Sequence, residues 1–185
     1  MKTKAVSDHS FLKSPIFLCG MMGSGKSTVG KALSDILGIS FSDLDTLIVN
    51  QEGISIPEIF ESKGESGFRM IEQKLLIQHA KSTKGILALG GGALQDQQIV
   101  DHVKSYGWLV FLETPLEVLV NRLKSGRGRP MLNKTEVKNL DNRIENLLKE
   151  RLPYYHQAHI IIQTGSSSKK QVAEQIVKKL KSYEA

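Results

Sequence analysis

"GMMGSGKST", Gly20 to Thr28, follows the apolar run "IFLCG" that begins at Ile16 and leads straight into a helical pattern. The run has the character of a buried strand. From Lys26 to Leu37 the apolar residues Val29, Ala32, Leu33, Ile36 and Leu37 recur at helix spacing, and the "GI" that follows supplies a stop. Between strand and helix, Gly20, Gly25, Lys26 and Ser27 satisfy G-x-x-x-x-G-K-[ST] in the setting that pattern requires. Gly20, Gly23 and Gly25 let backbone N–H groups turn inward, and the helix N-terminus adds positive potential. The stretch therefore reads as a phosphate loop. Lys26 is expected to bridge β- and γ-phosphates and Ser27 to place its hydroxyl on Mg²⁺. A glycine-rich turn with an incidental lysine is the bland alternative, and the flanking strand and helix count against it. The loop alone does not separate a kinase from a GTPase, an ATPase motor or a binding module.

Four more apolar runs punctuate the chain: "ISFSD" from Ile39, "ILALG" from Ile86, "WLVFLE" from Trp108 and "HIIIQT" from His159. Helical patterns over Glu65–Ala80 and Lys169–Leu180 alternate with them, so the expected fold is a parallel sheet with helices on both faces. Nearly continuous apolar strands agree with burial on both sides. The gap from Thr46 to Gly85 is too long for one helix. Pro57 and Gly64 are expected to break it, leaving extra helical structure beside the sheet as a candidate acceptor-binding region. "KSGRGRPMLNK", Lys124 to Lys134, combines glycine, proline and like charges and reads as a mobile loop.

The 185 residues suit one compact domain, and 40% hydrophobic with 24% charged residues is an ordinary soluble composition. The opening "MKTKAVSDHSFLKSP" lacks a signal-peptide core, and no later run reaches membrane-spanning length, so the expected location is cytoplasmic, away from any membrane. Cys19, the single cysteine, is expected to act as a small hydrophobe. A net charge of +6 and a pI near 9.4 raise the question of nucleic acid. However, the excess is local: Arg122, Lys124, Arg127, Arg129, Lys134 and Lys138 face one acid, Glu136, within 17 residues. A short basic patch beside a phosphate loop fits a phosphorylated small ligand, not a duplex. No heptad or exposed apolar stripe demands a partner chain, so a monomer is expected.

The acceptor side is less explicit. Asp43 and Asp45 close the second strand at the edge where open α/β sheets hold ligands. In an extended segment their i, i+2 spacing points both carboxylates the same way, one toward hydrated Mg²⁺ and the other toward an attacking hydroxyl. Capping of the following "TLIVNQ" by Asp45 is the competing explanation. Arg69 and Glu72 share a helical face beside Phe68, a simple i, i+3 ion pair if nothing else recruits them. "GGG", Gly90 to Gly92, bares backbone N–H groups at the same edge, Arg129 lies in the basic loop, and Arg151 ends a helical stretch before Pro153. The five histidines lack a ligand cluster, and His156 and His159 read as surface or helix-end packing.

"GMMGSGKSTVGKAL", "FSDLDTLI", "SIPEIFESKGESGFRMIE", "LALGGGAL", "GRPML" and "RLPYYHQAH" stand in the order and spacing in which shikimate kinases carry their motifs, so the chain resembles that family from about Ile16 to Leu180. The resemblance implies a three-layer α/β/α P-loop kinase fold with a five-stranded parallel sheet in the order 2-3-1-4-5. It also implies a division into a tail (about 1–14), a core (15–45 and 85–182), a substrate-binding region (about 46–84) and a lid (about 124–138). The implied activity is Mg-dependent transfer of the ATP γ-phosphoryl to the 3-hydroxyl of shikimate, on the route to chorismate and the aromatic amino acids. Roles follow by the same resemblance. Gly23, Ser24, Gly25, Lys26, Ser27 and Thr28 hold ATP, with Arg122 stacking on adenine. Arg129 reaches the phosphates from the lid, and Asp43 supports Mg²⁺ through water. Asp45 acts on the attacking hydroxyl, Arg69 and Arg151 grip the carboxylate, and the Gly91 and Gly92 backbone meets the ring hydroxyls. Phe60 and Phe68 line the pocket, and Glu72 orients an arginine. A gluconate-type or nucleoside monophosphate kinase, and a catalytically silent nucleotide-binding homologue, are the rival readings. A phosphate acceptor would be repelled by Asp45.

Overall fold

The computed structural model describes residues 14–125 and 140–184. Strands β1 (Ile16–Cys19), β2 (Phe41–Asp43), β3 (Ile86–Ala88), β4 (Trp108–Glu113) and β5 (Ile160–Gln163) form one parallel sheet ordered β2-β3-β1-β4-β5. The helices are α1 (Lys26–Leu37), α2 (Leu44–Glu52), α3 (Ile56–Ser82), α4 (Gln97–Tyr106), α5 (Leu116–Lys124), α6 (Leu140–Tyr155) and α7 (Lys169–Glu184). Most of the expected tail and of the lid, Arg129 included, lies outside the described residues.

Alternation along the strands divides the core in two. Ile16 and Leu18 of β1, with Val110 and Leu112 of β4, pack against Val29 and Leu33 of α1 and Ile176 and Leu180 of α7. Phe17 and Cys19, with Leu87, Leu109 and Phe111, face the opposite core, filled from α2 through α6. Every residue of β1 and β3 is buried, as the continuous apolar runs require. The outer strands differ: β2 is half-buried throughout, and β5 buries Ile160 and Ile162 but exposes Gln163. Cys19 lies deep in the sheet, where burial pushes its thiol up to about 12. It is a protonated hydrophobe at neutral pH.

Register places Ile16 of β1 between Ile86 of β3 and Trp108 of β4. From β1 the chain first crosses to β2 and only later to β4 on the other side, so strand order reverses at β1. Its carboxyl end therefore opens into a crevice, and the phosphate loop occupies that position. α1 starts after Gly25 and ends on Gly38, whose N–H returns to Ser34 O.

The helical insertion divides at both places where a break was expected. Pro57 marks the first, between α2 and α3, and sits in the first turn of α3 behind a capping box in which Ser55 and Glu58 satisfy each other's backbone N–H groups. Gly64 does interrupt the helix, with φ 68° and ψ −178°, and the expected Glu65–Ala80 segment forms the second limb of α3. Among the described residues no helix is long and apolar enough to cross a membrane, and no group of three or more His, Cys, Asp or Glu could hold a metal. His156 meets Glu113 at 3.0 Å, and His159 Nδ1 accepts the Leu109 N–H at 3.0 Å.

Candidate active site

At the mouth of β1, Gly20, Gly23 and Gly25 adopt φ of 140°, 81° and 95°, values at which a side chain would be strained. Lys26 Nζ spans the loop, donating to Gly20 O at 2.8 Å and Met21 O at 3.1 Å. Ser27 Oγ donates to Asp43 Oδ2 at 2.5 Å, tying α1 to the end of β2. Arg122 of α5 donates from Nη1 to Gly23 O at 3.0 Å and from Nη2 to Gly165 O at 3.4 Å, so its guanidinium clasps the loop from the β4 side. Ser24 is buried, and among the described residues its Oγ has no hydrogen-bond partner. These groups open on a cleft of about 520 Å³ whose wall also includes Thr28, Asp45, Gly91 and Lys169.

The two aspartates reach the cleft by a route the i, i+2 reading did not anticipate. The strand ends at Asp43 and α2 begins at Leu44, so Asp43 is the helix cap and its Oδ1 accepts the Asp45 N–H at 3.1 Å. Capping falls to Asp43, not to Asp45. Asp45 thus projects from the first helical turn, and both carboxylates line the same cleft.

Gly90, Gly91 and Gly92 follow β3, and each meets a different functional side chain. A Cβ on Gly90 would run into the Glu72 carboxylate, with Asp45 Oδ1 3.6 Å away. On Gly91 it would lie 3.5 Å from Arg151 Nη1, and on Gly92 2.6 Å from Arg69 Nη1. Close approach thus calls for glycine at 90 and 92, while at 91 the contact with Arg151 would be an ordinary one. Glu72 is buried and binds Arg69 Nη1 at 2.5 Å; burial pushes its carboxyl above the ordinary range, while Arg69 pulls it back. Arg69 also lies 5.3 Å from the Phe68 ring centre, and Phe68 stacks on Phe60 at 4.6 Å. Arg69, Glu72 and Gly92 line a second cavity of about 210 Å³, apart from the phosphate cleft.

Arg151 is 4% exposed. Its Nη1 donates to Met21 Sδ at 3.6 Å, and among the described residues its Nε finds no partner. A buried guanidinium with an unused donor is chemically suited to pair with an anionic group. Tyr155, one turn farther along α6, donates to Gly91 O. Sequence reasoning had not singled out Tyr155, Met21 or Lys169. The i, i+4 pairing of Arg151 with Tyr155 was the available signal for the first; nothing local marks the other two.

A phosphate loop at the strand-order reversal of a 2-3-1-4-5 parallel sheet defines the α/β P-loop kinase fold. A family model described as shikimate kinase matches residues 22–181. The chain is 40% identical to a shikimate kinase of Nitrosococcus oceani over 91% of its length and 87% of the relative's. A solved shikimate kinase from Acinetobacter baumannii in complex with shikimate superposes with TM-score 0.85 at 36% identity, covering 92% of this chain and 94% of that one. A shikimate kinase structure from Aquifex aeolicus gives TM-score 0.78 at 36% identity, covering 91% and 97%. The chain belongs to the shikimate kinase family, an ATP-dependent kinase family.

Proposed function

We propose that the chain transfers the γ-phosphoryl of ATP to the 3-hydroxyl of shikimate, giving shikimate 3-phosphate and ADP on the route to chorismate and the aromatic amino acids. The observation that carries this reading is Arg151, buried with an unused Nε–H beside the glycine turn that Asp45 and Arg69 also touch. Such a pocket suits a polyol with one carboxylate: fork-shaped cations at one end, a proton acceptor at the other.

In this mechanism Lys26 exchanges the Gly20 and Met21 carbonyls for β- and γ-phosphate oxygens, and the N–H groups of residues 23–28 surround the triphosphate. Arg122 forms the wall on which the base rests, and Arg129 reaches the phosphates. Ser27 and Asp43, a hydroxyl and a carboxylate at the edge of the loop, are oxygen donors of the kind Mg²⁺ takes; Asp43 would act through water. When bound, the ion neutralises phosphate charge. Arg69, held by Glu72, and Arg151 grip the carboxylate, Phe60 and Phe68 wall the pocket, and Gly91 and Gly92 meet the ring hydroxyls. Asp45 orients the 3-hydroxyl and takes its proton as the oxygen bonds to phosphorus and the bond to the ADP oxygen breaks. Because the charge develops on the transferred group, preorganised cations supply most of the acceleration.

The enzyme is taken to work as a cytoplasmic monomer. Release of ADP from MgATP, followed by a coupled assay with shikimate, gluconate and nucleoside monophosphates, tests the assignment. Stimulation by shikimate alone is expected, and its absence would overturn the reading.

A further inference from the structure

Arg151 and Tyr155 stand four residues apart on α6, which stacks them on one helical face. Tyr155 is 1% exposed and packs its ring on Phe111, centre to centre 5.0 Å. Its hydroxyl donates to Gly91 O, and both that hydroxyl and the Arg151 guanidinium approach one sulfur, that of Met21. Met21 Sδ lies 3.6 Å from Arg151 Nη1 and 3.9 Å from the Tyr155 oxygen, closing the group from the phosphate-loop side. The phenol therefore touches the hydroxyl-facing glycine turn directly and meets the carboxylate-binding arginine through the Met21 sulfur they share, and the acceptor reading places these two groups at opposite ends of the ligand. Burial pushes the pKa of that phenol above its ordinary value, so it remains a donor at every working pH.

We propose that Tyr155 is a positioning residue that fixes the spacing between Arg151 and the Gly91 turn, and so selects acceptors whose carboxylate and hydroxyl are the right distance apart. The inference rests on the acceptor assignment given above. Tyr155 does not touch ATP, and the contact it makes with the phosphate loop is only to Met21 sulfur, a weak acceptor.

Tyr155→Phe removes the hydroxyl and leaves the ring packing in place. Calorimetric titration with shikimate in the absence of nucleotide is expected to show affinity weakened about tenfold, as for loss of a hydrogen bond to a charged or fixed partner. Steady-state kinetics should show the matching rise in KM for shikimate, with kcat and KM for ATP changed by less than about twofold. The discriminating readout is the preference for shikimate over its methyl ester. Wild type should favour the acid strongly, and the variant should lose much of that ratio because Arg151 is no longer aligned with the turn. A residue that merely supports the fold would lower the thermal midpoint and leave the ratio alone; a folded variant with an unchanged ratio overturns the proposal. If Tyr155→Phe does not fold, incorporation of 4-fluorophenylalanine at 155 keeps the ring and fills the space of the hydroxyl without donating a hydrogen bond. The same loss of the acid-over-ester preference is then expected, and an unchanged ratio overturns the proposal. Wild type that fails to bind shikimate at all would instead sink the acceptor assignment, an outcome visible before any variant is made.

Discussion

The donor and acceptor halves of the site are built on opposite plans. The phosphate side is built around nine consecutive residues, to which Asp43 and Arg122 are added, and its main polar group, Lys26, already rests on carbonyls of its own loop. The acceptor side draws on α2, α3, the turn after β3 and α6, segments separated by up to about a hundred residues, and it buries a guanidinium with a donor unused. Each half leaves one buried polar atom without a partner among the described residues, Ser24 Oγ in the loop and Arg151 Nε on the acceptor side, but the loop's groups are neighbours in the chain whereas those of the acceptor side meet only in the fold. Generic chemistry is local in the chain, and selectivity is assembled by the fold.

Substitutions in the two halves should therefore fail in different ways. The largest effect is expected from Asp45→Asn, which should cut kcat by about 10²- to 10⁴-fold, the range for loss of a general base, while ATP affinity in a fluorescence titration stays nearly intact. A collapse of ATP binding would move Asp45 to the metal side and erase the division. Next, Arg151→Leu should raise KM for shikimate about 100-fold through loss of a charge-assisted contact, with little change in KM for ATP. Equal damage to both constants would mean that Arg151 supports the phosphate loop through Met21.

A smaller, about tenfold loss in kcat/KM is expected for Glu72→Gln, which weakens the hold on Arg69. This variant also carries a pH signature. Burial raises the Glu72 carboxyl above its ordinary 4.5, so on acidification it protonates before an ordinary carboxylate and releases Arg69. Wild-type KM for shikimate should climb on the acid side, and the glutamine variant should lack that limb. The smallest effect lies far from the site. His159 is held below its ordinary 6.5 by burial and by Lys104, so the folded state favours the neutral ring that accepts from Leu109 N–H. Its contribution is present above the ordinary value and is lost as pH falls through the folded one. Thermal midpoints measured at pH 7.5 and 5.5 should differ less in His159→Gln than in wild type.

The same contrast governs what could be read in advance. Apolar runs at Ile16, Ile86 and Trp108 mark the central strands because strands buried on both faces need no alternation. "GMMGSGKST" carries its own strand-loop-helix context. Short amphipathic helices such as α4, with Ile99, Val100 and Val103 buried, lie outside the expected elements because three apolar positions in ten residues are a weak periodic signal. Pro57 marked the break between α2 and α3, but that it opens the second helix becomes clear only with the cap at Ser55. On the acceptor side, Arg69, Glu72, Asp45 and Arg151 were legible through family resemblance, since as isolated residues each has an ordinary explanation. The convergence of three of them, with Arg151, on Gly90–Gly92 exists only in three dimensions, and the Tyr155 contact with Gly91 had no counterpart in the motif pattern.

The burial of Cys19 has a practical consequence. Because the only thiol in the chain is held protonated inside the sheet, a cysteine introduced at an exposed position would be the sole group to react with a maleimide dye or spin label. Met70, 68% exposed on α3 beside Arg69, is one such position, and a probe there could report acceptor binding without prior removal of native cysteines.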